Sequence, residues 1–237
     1  MIVAVIASLI AHEFAHMAFV RVFGGQVNGF RISLAGMTAW VRGLEKLKLW
    51  QRYVVYLAGP ATNALIATGA WVAVRFFGGW GEFWQGLFIY NIVLCAFNLL
   101  PVFPLDGGRL MQLFLGNRMG ILRANRLLLK AGPVVGWALM GLGLVQAVLY
   151  PWNITLLCAG VYIRRKNEQL PPILYWECVK ALQAKDRKHL RTKKIILPKN
   201  TTVRQAVEYL GWDYWAEIYI GAGVWISEGE IIEMIGG

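Results

Sequence analysis

His12, Glu13 and His16 are the residues from which chemistry is most directly built. They stand in the run His12-Glu13-Phe14-Ala15-His16, an HExxH. On a helix, positions i and i+4 share one face, so both imidazoles can reach a single metal ion. Glu13 sits beside them, placed to take a proton from a water on that metal. The bland alternative is a chance run of polar residues with satisfied core histidines. Two facts weigh against it. The chain has three histidines, and two of them make this motif. The surrounding Met1–Val20 run is otherwise apolar, where ionisable groups are costly unless paired or metal-bound.

A catalytic zinc takes three protein ligands and leaves one position open. The third ligand must be His, Cys, Asp or Glu. His189 lies far down the C-terminal part, and Glu45 and Glu82 fall in loops. Asp106 is better placed: it follows Asn98-Leu99-Leu100-Pro101-Val102-Phe103-Pro104-Leu105 and precedes Gly107-Gly108. It lies just past the end of an apolar run, at a depth similar to that of His12–His16. By spacing alone, Asp106 serves equally well as the N-cap of a helix over Gly107–Leu115.

The elements that must hold these residues are membrane-like. Of 237 residues, 57% are hydrophobic and only 16% charged, and the mean hydropathy is +0.50. A soluble domain carries about 25% charged residues. The deficit excludes an ordinary soluble enzyme and a disordered chain. Met1–Val20, Val54–Val74, Phe83–Leu105 and Ala131–Tyr150 are each close to the ~20 residues of one crossing. The prolines near the end of the third run stop its helix around Leu100. Trp152–Ile163 is a shorter fifth run, either a crossing or a re-entrant segment.

Lysine and arginine test this layout. The Arg21–Tyr53 and Pro101–Lys130 connections are basic, and so is the tail opening at Arg164-Arg165-Lys166. The turns at Gly78–Glu82 and Tyr150–Pro151 hold no Lys or Arg. That alternation follows the positive-inside rule and places the basic connections in the cytosol and the N-terminus outside. It accounts for the net charge of +11 without nucleic acid. Cys95, Cys158 and Cys178 form no CxxC and are expected as free thiols.

Within the first connection, Gly29–Arg42 has the alternation of a hairpin, with a turn at Ala35-Gly36. It is expected either as a plain structural hairpin or as an edge strand for an extended substrate. Pro171-Pro172 is expected to break any helix, followed by a helical, basic stretch over Ile173–Leu190. Lys194–Gly237 has a small α/β pattern: strands at Ile195–Leu197, Ile218–Ile220 and Val224–Ile226, a helix at Thr202–Leu210, and a last helix opened by the capping box Ser227-Glu228-Gly229-Glu230.

Taken in order, His12–His16, then Gly59-Pro60-Ala61-Thr62-Asn63, then Asn98–Gly108 resemble the site-2 protease family of intramembrane zinc metalloproteases. The third stretch has the family form N-x-x-P-x-x-P-L-D-G-G. The resemblance covers roughly residues 1–163 and is nearest to the branch of the stage IV sporulation protein FB. It implies Zn²⁺ held by His12, His16 and Asp106, with Glu13 as general base. It implies an active-site loop that contacts substrate at Asn98, Pro101 and Pro104. Gly59, Pro60 and Asn63 match a motif expected to pack helices near the site, although Asn63 also fits ordinary interhelical bonding.

The implied fold is a polytopic α-helical membrane protein of about five transmembrane helices with a small β-hairpin, followed by a small cytosolic α/β CBS-like domain. The expected division is a membrane-embedded metalloprotease domain over 1–163, a basic connector over 164–193 and a single CBS-like motif over 194–237. The implied substrate is a membrane-associated protein, a sigma factor precursor whose pro-sequence is removed at the cytosolic face. The location is the bacterial cell membrane, around the forespore in the sporulation branch. Inhibitory membrane partners and adenine nucleotide at the tail come with the same resemblance, as does an apolar face of Ile218, Ile220, Val224 and Ile226 expected either to pair with a second copy in a homo-oligomer or to dock on the substrate. For nucleotide, Gly221-Ala222-Gly223 is only a weak signature.

The branch carries a further transmembrane helix before its HExxH helix, whereas here eleven residues precede His12. Two rival readings are weaker. A membrane-anchored protease with a cytosolic catalytic domain would carry HExxH on a soluble helix. A metal-binding scaffold has no use for a base between two ligands, and a transporter would place ionisable groups along a path at the bilayer midplane, where the sequence offers only this one cluster.

Overall fold

Apolar runs lay down the long helices. The computed structural model describes residues 1–33, 36–76, 81–150, 153–183, 190–198, 201–212, 214–220 and 224–236. Leu34-Ala35 of the expected hairpin turn, Gly78 and Gly79, Pro151-Trp152, His189 and Gly221-Ala222-Gly223 lie outside them. The chain forms two compact units, Met1–Pro101 with Leu105–Leu110, and Val102–Pro104 with Met111–Gly237.

The first unit opens with α1, Ile2–Val22. Strands β1 (Gln26–Ser33) and β2 (Gly36–Arg42) follow as an antiparallel pair, with Gln26 opposite Arg42, Ser33 opposite Gly36, and an irregularity between Val27 and Gly29. Gly43, at φ +90°, turns the chain into a short 3-10 turn at Leu44–Lys46, a conformation that a Cβ would oppose. Helices α2 (Leu49–Phe76) and α3 (Gly81–Asn98) complete the unit. Val20, Leu47 and Val55 form a buried cluster, with Phe23, Val27 and Leu44 packed on it. That cluster ties the end of α1 and the base of the hairpin to the start of α2, and so sets the depth at which His16 meets α2.

Helix α4, Asp106–Met119, begins in the first unit and ends in the second. Helix α5 runs over Ile121–Leu149 and α6 over Thr155–Gln183. A three-stranded sheet follows, in the order β3 (Arg191–Leu197), β4 (Tyr214–Ile220), β5 (Val224–Ser227). β3 and β4 are parallel, and β4 and β5 antiparallel. The crossover carries α7, Val203–Ala206, and α8, Glu228–Gly236, ends the chain's described part. The capping box is present: Glu230 N–H donates to Ser227 Oγ at 3.3 Å, and Ser227 N–H donates to Glu230 Oε2 at 2.7 Å.

Four features of the structure refine or differ from the expectations. Among the described residues three helices are long and apolar enough to cross a membrane, by length and composition: α1, α2 and α5. The run behind α3 carries Glu82, Gln85, Asn91 and Asn98, and that behind α6 turns basic at Arg164, so neither joins them. Second, α5 starts ten residues before Ala131, at Ile121. Its first turns bury Ile121, Ala124, Asn125 and Leu128 beside Arg123 and Arg126, an amphipathic pattern that average hydropathy does not register.

Third, α6 continues through Pro171 and Pro172. The two rings remove two backbone donors, but Leu170 and Leu174 on either side are both buried against Phe103 and Leu128. Tertiary packing holds what local propensity disfavours. Fourth, much of the apolar face expected to want a second copy or a docked substrate packs inside the unit. Ile218 is fully buried, and Ile220 and Ile226 pack on the same core, which also includes Ile121, Cys178 and Leu182 from α5 and α6.

On α1, α2 and α5 several apolar side chains are exposed: Val3, Leu65, Val134 and Val148 are each about two-thirds or more exposed, as a lipid-facing surface would require.

Candidate metal centre

Repeats of four residues bring the site together. On α1, Ser8, His12 and His16 lie one turn apart on one face. On α2, Val55, Gly59 and Asn63 form the matching stripe. The two stripes meet. His16 Nδ1 donates to the Val55 carbonyl at 2.7 Å, and His12 Nδ1 donates to Asn63 Oδ1. Gly59 lies between them. A Cβ there would stand 2.6 Å from both Cε1 and Nε2 of His12 and closer still to His16 Nε2. The glycine is therefore the space into which the two rings fit.

Asp106 opens α4. Its neighbour Gly107 is pressed against the end of α3, where a Cβ would collide with the carbonyls of Leu99 and Leu100. That backbone approach seats the first turn of α4, whose partial positive charge favours a carboxylate. Asp106 Oδ2 lies 3.1 Å from His12 Nε2 and 3.3 Å from His16 Nε2, and the two Nε2 atoms are 3.3 Å apart.

The chemistry of this donor set fits a metal. Val55 O and Asn63 Oδ1 accept hydrogen bonds, so each Nδ1 carries a proton and, in the neutral imidazole, each Nε2 presents its lone pair. Two such lone pairs and a carboxylate oxygen then converge on one point, an arrangement that a cation stabilises. For tetrahedral bonds of ~2.0–2.1 Å to zinc, ligand atoms stand ~3.3 Å apart, the spacing observed. Among the described residues His12, His16 and Asp106 are the group of His, Cys, Asp and Glu side chains close enough to share an ion. The His12 side chain is 4% exposed, against 16% for His16 and 19% for Asp106, so the centre is sealed behind His12 and reachable past the other two.

The remaining expected residues fall as follows. Glu13 is partly buried on α1 beside His12. Pro60 is buried within α2. Asn98 ends α3 and its Nδ2 donates to the Leu94 carbonyl of the same helix at 3.0 Å. Pro101 is exposed, and Pro104 follows a cis peptide bond. Asn63 does more than pack helices, since it bonds a histidine directly. Two residues escaped the sequence reading. Asn91 donates to Ser8 Oγ at 3.1 Å and accepts from Asn63 Nδ2 at 2.8 Å. Ser8 stands four residues before His12, which was the available signal; Asn91 was marked only by being polar in an apolar run.

Comparison with known proteins bears on this centre. Residues 73–142 match the model of peptidase family M50, a stretch that contains Asp106 but not the HExxH. A putative zinc metalloprotease of Mycobacterium tuberculosis, Rip3, is 37% identical over 158 residues, covering 62% of this chain and 39% of its own length. Stage IV sporulation protein FB of Bacillus subtilis is 27% identical over 122 residues, covering 52% of this chain and 42% of its own. The sporulation branch is therefore not singled out, as Rip3 is the more similar of the two. The chain spans less than half the length of either. In fold it resembles the site-2 protease from Methanocaldococcus jannaschii, with a TM-score of 0.57 at 23% identity over 70% of this chain and 75% of that one. Over part of its length the chain is thus similar to peptidase family M50 and to zinc metalloproteases, and its fold resembles that of a site-2 protease.

Proposed function

We propose that the chain is an intramembrane zinc metalloprotease that hydrolyses a peptide bond in a membrane-associated protein. One observation carries this reading: three ligand atoms from His12, His16 and Asp106 stand 3.1–3.3 Å apart, with both Nδ1 atoms already engaged. Zinc bound there would supply Lewis acidity, making a water nucleophilic near neutral pH and polarising the scissile carbonyl. Glu13 takes the water's proton on its carboxylate and returns it to the nitrogen of the leaving amine. Asn63 and Val55 orient the two imidazoles, and Gly59 leaves them room. The substrate must be extended at the bond to be cut, because helical carbonyls are already hydrogen-bonded. The outer edges of the β1–β2 hairpin offer backbone groups for such a strand.

The finer reading places the centre at the cytosolic side of a membrane domain over 1–163, with 164–193 as connector and 194–237 as a CBS-like regulatory motif. The alternation of basic and neutral connections supports the orientation, and the β-α-β-β-α order of the tail supports the motif. Removal of a sigma-factor pro-sequence is the narrowest form of the proposal, supported by the 27% identity to stage IV sporulation protein FB over 122 residues. Purified protein in lipid should hold one zinc per chain and cleave a membrane-anchored precursor, and Glu13→Gln should hold zinc and cleave nothing. A chain without zinc, or a Glu13→Gln variant as active as the wild type, refutes the mechanism. Co-expression with a sigma-factor precursor tests the narrow form alone.

A further inference from the structure

Behind His12, a buried chain of amide and hydroxyl groups crosses three helices of the first unit. His12, Asn63, Asn91 and Ser8 are each 3% exposed or less. Asn91 Nδ2 donates to the Leu87 carbonyl at 2.9 Å and to Ser8 Oγ at 3.1 Å. Ser8 Oγ donates in turn to the Ala4 carbonyl at 2.9 Å. Asn91 Oδ1 accepts from Asn63 Nδ2 at 2.8 Å, and Asn63 Oδ1 accepts from His12 Nδ1.

Each link has one permitted direction. A backbone carbonyl only accepts, so the Asn91 face towards Leu87 must be the NH₂. Turning that amide over would set its oxygen against the Leu87 oxygen. With Asn91 so fixed, its Oδ1 faces Asn63, and Asn63 must present its own NH₂ there. Asn63 Oδ1 is then left for the imidazole, which must carry its proton on Nδ1. The lone pair of His12 Nε2 is thereby aimed at Asp106 and His16. Packing alone would be served by leucine at this position of α3, and a buried amide that is half satisfied costs more than an apolar side chain.

We propose that Asn91, supported by Ser8, is a positioning residue for the metal centre: through Asn63 it fixes the tautomer and ring orientation in which His12 can serve as a ligand. The proposal rests on the metal reading above for its consequence, but the tautomer itself is a property of the metal-free protein. Outer groups that orient a metal-bound histidine are worth ~10–100-fold in metal affinity, and Asn91 acts one bond further out.

The test uses the full chain in lipid, with zinc alone as the probe. Asn91→Leu is expected to lose at least ~10-fold in zinc affinity by chelator competition. Nitrogen-15 NMR of labelled histidine in the metal-free protein should show His12 shifting from a single Nδ1–H form to a mixture. Added to Asn63→Ala, Asn91→Leu should cause no further loss, because its route to His12 is already cut. A purely structural role predicts the opposite, independent losses that multiply. Wild-type zinc affinity in Asn91→Leu, or multiplying losses, overturns the proposal. A wild-type protein that takes no zinc refutes the metal reading, and the tautomer spectrum then decides the positioning by itself. Should Asn91→Leu not fold, Ser8→Ala decides: a tautomer population and zinc affinity both equal to wild type overturn the proposal.

Discussion

Replacing Gly59 by alanine tests the centre by adding one methyl group. The new Cβ would stand 2.6 Å from His12 Cε1 and Nε2, whereas carbon contacts are comfortable at about 3.5 Å. The ring must therefore retreat by ~0.9 Å, several times the ~0.2 Å that metal–ligand distances tolerate. His16 Nε2 is closer still and cannot withdraw freely, because its Nδ1 is tied to Val55 O on the same face of α2. Displacing both proposed ligands should cost at least ~100-fold in zinc affinity, or about 2.7 kcal/mol. The helix itself is not the victim, since alanine is favoured over glycine by about 1 kcal/mol in a helix. The assay is zinc competition with a chromophoric chelator, paired with thermal melting of the metal-free protein by circular dichroism. Gly69→Ala is the control, because a Cβ there meets nothing within 4 Å. Wild-type zinc affinity in a folded Gly59→Ala protein would refute the idea that this glycine makes room for the ligands.

Other perturbations separate the roles. Glu13→Gln should keep zinc and lower hydrolysis by ~10²–10⁴-fold, the usual worth of general acid–base help; Asp106→Ala should lose zinc as well as turnover, read by metal analysis of the purified variant. Gly107→Ala should misplace Asp106, because the added carbon collides with backbone oxygens of Leu99 and Leu100 that cannot swing aside, so zinc content and melting temperature should fall together. In the second unit, burial works against the charge of Glu208, but Arg126 and Arg123 outweigh it and hold its carboxyl below the usual range. A lowered folded value gives stability that is complete above the unfolded value of about 4.3 and is lost as pH falls through the folded one. Hydrogen exchange over 201–212 should therefore accelerate on acidification below about pH 4.3 in the wild type, and Glu208→Gln should exchange faster already at neutral pH and lose that dependence.

How far the sequence speaks can be seen residue by residue. His12 and His16 were legible because helical periodicity is local: four residues apart on any helix means one face. The apolar runs were legible for the same reason, as hydropathy is a sum over neighbours. Asp106 was half legible, its residue type allowing both a ligand and a cap, and only the folded chain shows its carboxylate against both Nε2 atoms. Tertiary structure alone decided the rest. Local rules broke α6 at Pro171-Pro172, yet burial of Leu170 and Leu174 carries the helix through. Average hydropathy hid the first turns of α5, whose apolar face is covered by partners far away in the chain. Gly59 became a space for imidazoles, Asn63 a histidine's acceptor, and Ser8 and Asn91 members of the site only when three helices met. Hydrogen bonds and steric contacts across helices depend on register and rotation between segments dozens of residues apart, and no local pattern in a single sequence encodes those.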